Sequence, residues 1–386
     1  MSQFSASVLP LEKVLGADSW LLNKGHVEAA MTCIGGQIAP VQFRIGSKRI
    51  APYSVAPWAQ EQLDAATPNI LRVLRGDFFC APFGGNATVC NGEKFPLHGE
   101  PANAHWQLIE TKENTRELTA EFSLKTTIRP GEIRKLVRLV GSQTCLYQRH
   151  TLTGFSGSLP MGHHAMLKFP DAPMSGLIST APFVYGQVFP AAFENPAVGG
   201  YQALKPGATF KDLHQVPTND GSTADLAQYP ARPGFEDLVM IVANPKQRLG
   251  WTAVAFPREG YVWFALKDAH VLRNTVFWIS NGGRHYSPWS GRHTHVLGVE
   301  DVTAYFHYGV AESSNPNLIS KQGMPTAIEL KPDTPTVVNY IQGIAAIPNG
   351  FDRVAVIKAS EDRKSITLTS TNNHEVTAPV DLDFLW

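Results

Sequence analysis

Apolar and polar residues alternate along much of the chain. Positions 118–124 read LTAEFSL, in which every second residue is apolar. A period of two predicts a β-strand with one buried face. The turn sequence RPGE at 129–132 is followed by further apolar runs at 133–140 and 145–153. Strands that flank such a short turn pair side by side, so this region is predicted to be an antiparallel meander.

The same pattern returns in the second half of the chain, in runs such as WTAVAF, YVWFAL and VFWIS. No segment shows the 3.6-residue period of an amphipathic helix. Residues 154–235 are rich in Gly and Pro and are predicted to be loop, apart from one strand in GHHAMLKFP. Because no linker or repeat interrupts the chain, we expect one all-β domain over residues 1–386, built as a large antiparallel sandwich of stacked sheets.

Composition narrows the class of protein. The 386 residues include 33 Lys plus Arg and 33 Asp plus Glu, so the formal net charge is zero. This balance argues against nucleic acid or an anionic membrane as partner. No apolar run is long enough for a membrane span, and the first residues lack a signal-peptide pattern. Four cysteines without a CxxC pair favour reduced thiols. We therefore expect a cytoplasmic protein.

The stretch from 71 to 106 concentrates residues that a structural loop does not need. It contains LRGDFFCAPFGGN and then LHGEPANAHW. Arg75 offers a rigid fork of donors, and His98 titrates near neutrality. Glycines allow a ligand to approach the backbone closely, and aromatic faces suit the apolar face of a sugar ring. This cluster favours a pocket for a polar ligand.

These motifs resemble the aldose 1-epimerase (galactose mutarotase-like) superfamily, and particularly its hexose-6-phosphate mutarotase branch. Further pieces occur in the order of that family. They are GHHAMLKFP, PGFEDLVMIV, VFWIS, HTHVLGVEDVTAY and IELKPDTPTVVNYI. The resemblance covers most of the chain. It implies a large β-supersandwich with its site in a groove on a sheet face, and a small-molecule sugar or sugar phosphate as partner.

By this resemblance, Glu300 is the base that deprotonates the anomeric hydroxyl, and one residue of the pair His163/His164 is the acid that protonates the ring oxygen. Neighbouring strand residues point to opposite faces, so only one imidazole is expected in the groove. The spacing to the following Phe and Pro favours His164. His163 is then grouped with the substrate-binding residues as a packing or supporting side chain.

The resemblance also assigns residues that bind the substrate. Arg75 and His98 are expected to hold ring or hydroxymethyl oxygens, and Asp237 is expected to accept hydrogen bonds from hydroxyls. Trp278 is a candidate platform for the sugar face. The implied reaction is anomer interconversion, an isomerase activity in carbohydrate metabolism, with no metal and no organic cofactor.

Two other interpretations stay open at this point. His293 and His295 form an HxH pattern, which places two rings on one strand face as a metal site requires. Glu300 lies five residues after His295, so a regular strand turns it to the opposite face, which disfavours a three-ligand site. The second alternative is a non-catalytic carbohydrate-binding protein on the same fold, because a fold does not determine activity.

Overall fold

The computed structural model describes residues 5–6 and 8–386, and nearly all regular structure there is β. In chain order, strands β1 to β15 are Ser5–Ala6, Leu11–Val14, Ala17–Lys24, Val27–Thr32, Ile38–Ile45, Lys48–Ile50, Asp77–Cys80, Gln107–Glu113, Glu117–Thr126, Gly131–Val140, Cys145–Thr153, Gly157–Leu159, Met161–Lys168, Gly176–Thr180 and Phe183–Val188. Strands β16 to β29 are Thr209–Phe210, Val216–Pro217, Thr223–Ala224, Gln228–Tyr229, Phe235–Ala243, Leu249–Phe256, Tyr261–Asp268, Asn274–Asn281, Val296–Thr303, Ile328–Leu330, Thr336–Ala346, Val354–Ala359, Ser365–Ser370 and Glu375–Pro379.

The helical segments of the described residues are short. The α-helices α1 and α2 span Asn69–Arg72 and Val310–Ser314. Single 3₁₀ turns occur at Glu100–Ala102, Pro196–Val198, Ser320–Gln322 and Leu382–Leu385.

Two large sheets form the body of the described structure. One has ten strands in the order β1-β8-β9-β10-β11-β26-β22-β21-β14-β19, and we call it the small sheet. The large sheet has twelve strands in the order β16-β15-β20-β23-β24-β13-β7-β5-β4-β3-β2, with β6 paired to β5. Strands β27, β28 and β29 make a separate antiparallel sheet near the C-terminus. The antiparallel β-supersandwich expected from the sequence is confirmed.

Three apolar clusters fill the spaces between and beside these layers. The first contains Phe122 and Val137 of the small sheet together with Ala165 and Val299 of the large one, so it lies between the two sheets. The second covers the outer face of the large sheet. The third joins the outer face of the small sheet to the C-terminal sheet, where Ile366 is buried. The large sheet is therefore covered by apolar side chains on both faces.

The predicted meander is present as β9, β10 and β11, paired in sequence order. Within β9, Leu118, Ala120 and Phe122 are buried while Thr119 and Glu121 are partly exposed, as the alternation predicts. The prediction of loop for residues 154–235 is wrong in part, because β14 and β15 there pair with the small and the large sheet respectively. Both strands are short, with five and six residues, so their alternation is too brief to see in the sequence.

All four cysteines are free thiols, and Cys33, Cys80 and Cys145 are buried. In the described part of the chain, none of the helices has both the length and the apolar character needed to cross a membrane. The organisation of the whole chain as one domain stays a prediction.

Candidate active site

A cleft of about 440 Å³ lies on the outer face of the large sheet. Its floor comes from the adjacent strands β13, β24 and β23, which carry His164, Glu300 and Trp278. Cross-strand register aligns Glu300 with Val276 and Trp278 with Gly298. The lining residues are Ile70, Leu71, Leu74, Phe78, Leu97, His98, His164, Phe193, Leu238, Trp278, Arg284, Trp289, Glu300 and His307.

Glu300 and His164 are in direct contact on this floor. The Nε2 atom of His164 lies 3.1 Å from Oε1 of Glu300, and both side chains are buried. The imidazole stacks on Phe78 with 4.6 Å between ring centroids, which fixes its plane. A side chain at Gly298 would put its Cβ 2.9 Å from Oε1 of Glu300, so the carboxyl group needs a glycine beside it.

Burial governs the protonation of this pair. Desolvation raises the pKa of Glu300 well above its ordinary value, and the charge of Arg284 opposes this only in part. Desolvation and the neighbouring His307 lower the pKa of His164 to about 3. A single proton on the pair therefore rests on the carboxyl group of Glu300. Oε2 of Glu300 and Nδ1 of His164 are buried without a hydrogen-bond partner, so they remain free to bond a ligand.

Two further imidazoles flank the pair. The ring of His98 lies 5.0 Å from that of His164 and 4.8 Å from that of His307, centroid to centroid. Burial lowers the pKa of His98 well below its ordinary value and that of His307 to about 4, so both rings are neutral near pH 7. The backbone N–H of Gly84 donates to Nδ1 of His98 at 3.4 Å, which leaves Nε2 as the protonated nitrogen and a donor.

Aromatic and charged groups surround the β23 side of the cleft. The indole N–H of Trp278 donates to Glu236 at 2.9 Å, and the guanidinium of Arg284 lies 5.4 Å from the ring of Trp278 and 4.7 Å from that of Trp289. Nε of Arg284 donates to Glu194 at 2.6 Å. Burial raises the pKa of Glu236 to about 7, against the charge of Arg284. The hydrogen bond to the buried carboxyl group of Glu236 therefore fixes the orientation of the Trp278 ring.

The residue next to His164 faces the other way. His163 lies between the two sheets, where its Nδ1 is 2.9 Å from Oδ2 of Asp77 and its ring stacks on Tyr340 at 4.2 Å. Gln148 donates to the same Asp77 oxygen at 2.6 Å. The two imidazoles therefore point to opposite faces of β13, as strand geometry predicts. His163 does not touch the cleft, and a direct contact of His163 with substrate is not supported.

Glu300 and Asp301 likewise point to opposite faces of their strand, β24. Oδ1 of Asp301 accepts hydrogen bonds from Lys267 at 2.5 Å and from Thr275 at 2.6 Å. Its Oδ2 accepts from the hydroxyl of Tyr340 at 2.7 Å. We call Asp77, Gln148, His163, Lys267, Thr275, Asp301 and Tyr340 the inter-sheet network. It holds β13 and β24, the strands that carry His164 and Glu300, against the small sheet.

Two residues expected in the site lie outside the cleft. The guanidinium of Arg75 is buried, and its donors bond the carbonyl oxygens of Val73, Val14 and Leu15. It ties residues 14 and 15 to the large sheet, and its side chain is fully buried outside the lining of the cleft. Asp237 faces away from the cleft and accepts the backbone N–H groups of residues 203 and 204. The substrate-binding roles expected for both residues are therefore dropped.

The HxH pattern does not form a metal site. His293 Nδ1 is 2.6 Å from the hydroxyl of Ser280, and His295 Nδ1 is 2.9 Å from Asp171 at the surface. His295 has a φ of 55°, so the strand begins only after it. Among the residues that the structure describes, no three His, Cys, Asp or Glu side chains come together with the spacing of a metal site.

Sequence reasoning missed three polar groups of the site. Glu236 precedes the expected Asp237, and the alternation of β20 puts Glu236 on the cleft face together with Leu238. Arg284 and His307 come from turns that follow β23 and β24, where no periodicity directs a side chain. A register argument along β20 separates Glu236 from Asp237 in the sequence, because neighbouring residues face opposite sides, but it does not say which of the two meets the cleft.

Comparison with known proteins supports the fold. No protein-family model and no curated protein sequence matches the chain. Among solved structures, a Klebsiella pneumoniae protein provisionally named an aldose 1-epimerase superposes with a TM-score of 0.60 at 14% identity, covering 89% of this chain and 84% of that one. A galactose mutarotase-like protein from Clostridium acetobutylicum gives 0.54 at 12% identity over 90% and 99% of the two chains.

A galactose mutarotase related enzyme from Lactobacillus acidophilus gives a TM-score of 0.53 at 11% identity, covering 86% of this chain and 98% of that one. At these identities the likeness establishes the fold. The chain has the β-supersandwich fold of galactose mutarotase-like proteins, and the resemblance predicted from its motifs is confirmed at that level.

Proposed function

We propose that the protein interconverts the α and β anomers of an aldose, with Glu300 and His164 as the proton-transfer pair. The observation that carries this proposal is the 3.1 Å contact between Nε2 of His164 and Oε1 of Glu300 on the floor of an open cleft lined by aromatic and polar side chains. Anomer interconversion needs one group that accepts a proton and one that donates a proton, close together and shielded from bulk water.

The reaction opens the sugar ring and closes it again. The pair first reaches its ion-pair form, in which its single proton has moved from Oε1 of Glu300 to Nε2 of His164 along their 3.1 Å contact. In that form Glu300 takes the proton of the C1 hydroxyl while His164 gives its proton to the ring oxygen. The C1–O bond of the ring breaks, and an open-chain aldehyde forms. Rotation about the C1–C2 bond then presents the other carbonyl face to the C5 hydroxyl. On closure both protons return, so neither the pair nor the sugar changes its proton count.

The shared proton of the pair suits this cycle. Ring opening by Glu300 as base and His164 as acid leaves the proton on the carboxyl and the imidazole neutral. That arrangement is the one that burial favours, because desolvation raises the pKa of Glu300 and lowers that of His164. Ring closure uses the same groups in reverse. The pair therefore works while it holds one proton, and no metal or organic cofactor is needed.

The remaining cleft residues are proposed to position the ring. His98 presents its Nε2–H as a donor to a sugar oxygen, because its Nδ1 accepts a backbone N–H. Trp278 offers a flat apolar face, held by the hydrogen bond from its indole N–H to Glu236. Neutral donors and aromatic faces bind hydroxyl-rich rings without competing for the protons of the pair.

The test measures anomer exchange by NMR for a panel of aldoses, with wild type and Glu300→Gln. The variant keeps the shape of the side chain and removes its proton chemistry, so turnover is expected to fall by about 10²–10⁴-fold while sugar affinity changes little. Glu361→Gln on the exposed surface is the matched control and is expected to match wild type. Full activity in Glu300→Gln contradicts the mechanism. Sugar binding without anomer exchange in wild type supports the carbohydrate-binding alternative instead.

A further inference from the structure

One part of the cleft lining consists of aliphatic side chains only. Ile70, Leu71 and Leu74 precede β7, and Leu97 precedes His98. We call these four residues the aliphatic wall. They carry no side-chain hydrogen-bonding group, so a hydroxyl turned toward them loses its water without gaining a partner there. Such a loss disfavours binding of that hydroxyl.

The charge balance of the cleft is unfavourable for anions. Among the described residues that line it, Arg284 is the only Lys or Arg. Its charge is balanced by the carboxylate of Glu194, whose Oε1 accepts a hydrogen bond from Nε at 2.6 Å, and Glu236 also lies close enough to interact with that charge. The three lining histidines, His98, His164 and His307, are neutral near pH 7 because burial lowers each pKa. The cleft therefore carries no net positive charge.

Other cations nearby are engaged elsewhere. Lys94 donates to the carbonyl oxygens of Asn86 and Ala87. Arg292 forms a two-pronged ion pair with Glu61. Moving a phosphate or carboxylate into a cleft lined mainly by apolar side chains costs several kcal/mol unless a free cation compensates. None of these groups provides that compensation.

We propose that the cleft selects an uncharged aldose with an apolar edge, best supplied by a 6-deoxyhexose whose methyl group packs on the aliphatic wall, and that it rejects sugar phosphates and uronates. This inference rests on the proposed function, because it names the substrate class of the same site. A methyl group gains the apolar contacts of the wall, whereas a hydroxymethyl group must bury an unpaired hydroxyl. Pockets of this kind discriminate a single hydroxyl by roughly 10–100-fold.

The experiment compares four sugars that differ only at C6: D-galactose, 6-deoxy-D-galactose, D-galactose 6-phosphate and D-galacturonate. The gluco series is measured in parallel. Anomer exchange by NMR gives kcat/KM, and calorimetry gives the dissociation constant for each sugar. In at least one series, the 6-deoxy sugar is expected to exceed its parent by about 10-fold or more. The two anions are expected to fall at least about 100-fold below the parent.

Two variants test the wall itself. Leu71 and Leu97 are partly exposed, so Leu71→Gln and Leu97→Gln are compatible with folding. Each gives a hydroxymethyl group a partner, and the 6-deoxy preference is expected to shrink by about 3–10-fold. Ile109→Gln, on an exposed position of β8, is the control and is expected to keep the preference.

A third variant tests the charge balance. Glu194→Gln removes the carboxylate bonded to Arg284, so the guanidinium becomes available to an anion. The affinity for the uronate is expected to rise by about 10-fold over wild type, since a charge-assisted hydrogen bond contributes about 1.5–3 kcal/mol. An unchanged or weaker uronate affinity contradicts the assigned role of the Glu194–Arg284 pair.

The outcomes separate the inference from the proposed function. Anomer exchange without a 6-deoxy preference, or with a preferred anion, overturns the inference and leaves the function standing. Tighter binding of the 6-deoxy sugar without anomer exchange overturns the function and supports the inference. Absence of both binding and exchange for all eight sugars overturns both.

Discussion

The two faces of the large sheet carry side chains that are neighbours in the sequence but differ in their hydrogen bonding. On the outer face, His164 and Glu300 contact each other, and each keeps one buried polar atom without a partner. On the inner face, Asp301 accepts three hydrogen bonds, one of them from the cation of Lys267. The contrast holds for Asp301 and Glu300 rather than for the whole of each face, because Oδ1 of Asp77, Oε1 of Gln148 and Nε2 of His163 in the inter-sheet network are also buried without partners. The same strands therefore carry the proposed proton-transfer pair on the outer face and the ion pair of Asp301 with Lys267 on the inner face.

The comparison teaches how a buried carboxyl group is to be interpreted. Glu300 and Asp301 are equally inaccessible, so burial alone does not distinguish a catalytic group from a structural one. Their partners do. Asp301 has a counter-charge and further donors, and Glu300 has a neutral imidazole and a cleft in front of it. Replacing one neighbour at a time is a direct way to test this division.

The largest contrast is expected for the histidine neighbours. His164→Asn removes the proposed acid, so turnover in anomer exchange is expected to fall by about 10²–10⁴-fold with the fold intact. His163→Asn disturbs the contact with Asp77 between the sheets, so it is expected to lower stability and to leave turnover per folded molecule within about threefold. NMR exchange and urea unfolding measure both. A larger loss of turnover in His163→Asn than in His164→Asn breaks the comparison.

The next contrast is between Asp301 and Glu300, and it concerns the free energy of unfolding. Asp301→Asn leaves the ammonium group of Lys267 buried without its counter-charge, and such a loss costs about 3–5 kcal/mol of unfolding free energy. Glu300→Gln removes no ion pair to a cation and is expected to be at least as stable as wild type at pH 7. Urea unfolding of the two variants in parallel measures the difference. Equal stabilities contradict the structural role given to Asp301.

The pH dependence of stability sharpens the comparison further. Burial raises the pKa of Glu236 from 4.5 to about 7 and that of Glu300 well above 4.5. A raised folded-state pKa gives stability that is fully present below pH 4.5 and is lost as the pH rises through the folded value. The contribution of Glu236 to the stability of wild type is therefore expected to fall between pH 4.5 and 7. The buried histidines His98, His164 and His307 give the opposite slope, because their lowered pKa values cost stability as the pH falls below about 6.5, so the effect of Glu236 is measured as a difference between variants.

Glu236→Gln does not titrate, so its melting temperature relative to wild type is expected to rise by a few degrees over this interval. Glu361→Gln at the surface serves as the control and is expected to follow wild type. Parallel curves for wild type and Glu236→Gln, measured by differential scanning fluorimetry, contradict the buried carboxyl assigned to the back of the cleft.

The smallest effect is expected at the cleft platform. Trp278→Phe keeps an aromatic face and removes the indole N–H that bonds Glu236. A neutral hydrogen bond contributes about 0.5–1.5 kcal/mol, so KM is expected to rise about 2–10-fold with kcat nearly unchanged. Trp106→Phe is the matched control, because that indole bonds the carbonyl of Pro101 away from the cleft. A drop in kcat as large as that of His164→Asn gives Trp278 a different role.

Parts of this architecture were predictable from the sequence because they depend on local geometry. The period of two in LTAEFSL and the RPGE turn identified the meander of β9 to β11. Motif order identified the resemblance that the fold confirms. Strand parity also predicted that His163 and His164 point to opposite faces. Each of these inferences uses residues that are close together along the chain, where backbone geometry alone sets the relation.

Other parts were decided only by tertiary structure. The sequence by itself determined that Glu236 and Asp237 face opposite sides of β20, but parity does not say which side meets the cleft, and the resemblance favoured Asp237. Tertiary packing decided in favour of Glu236, because the backbone of residues 203 and 204 covers the carboxylate of Asp237 on the opposite face. Arg75 was misjudged for the same physical reason. Two of its N–H groups bond carbonyl oxygens some sixty residues away in the chain, and only the folded structure brings those atoms together.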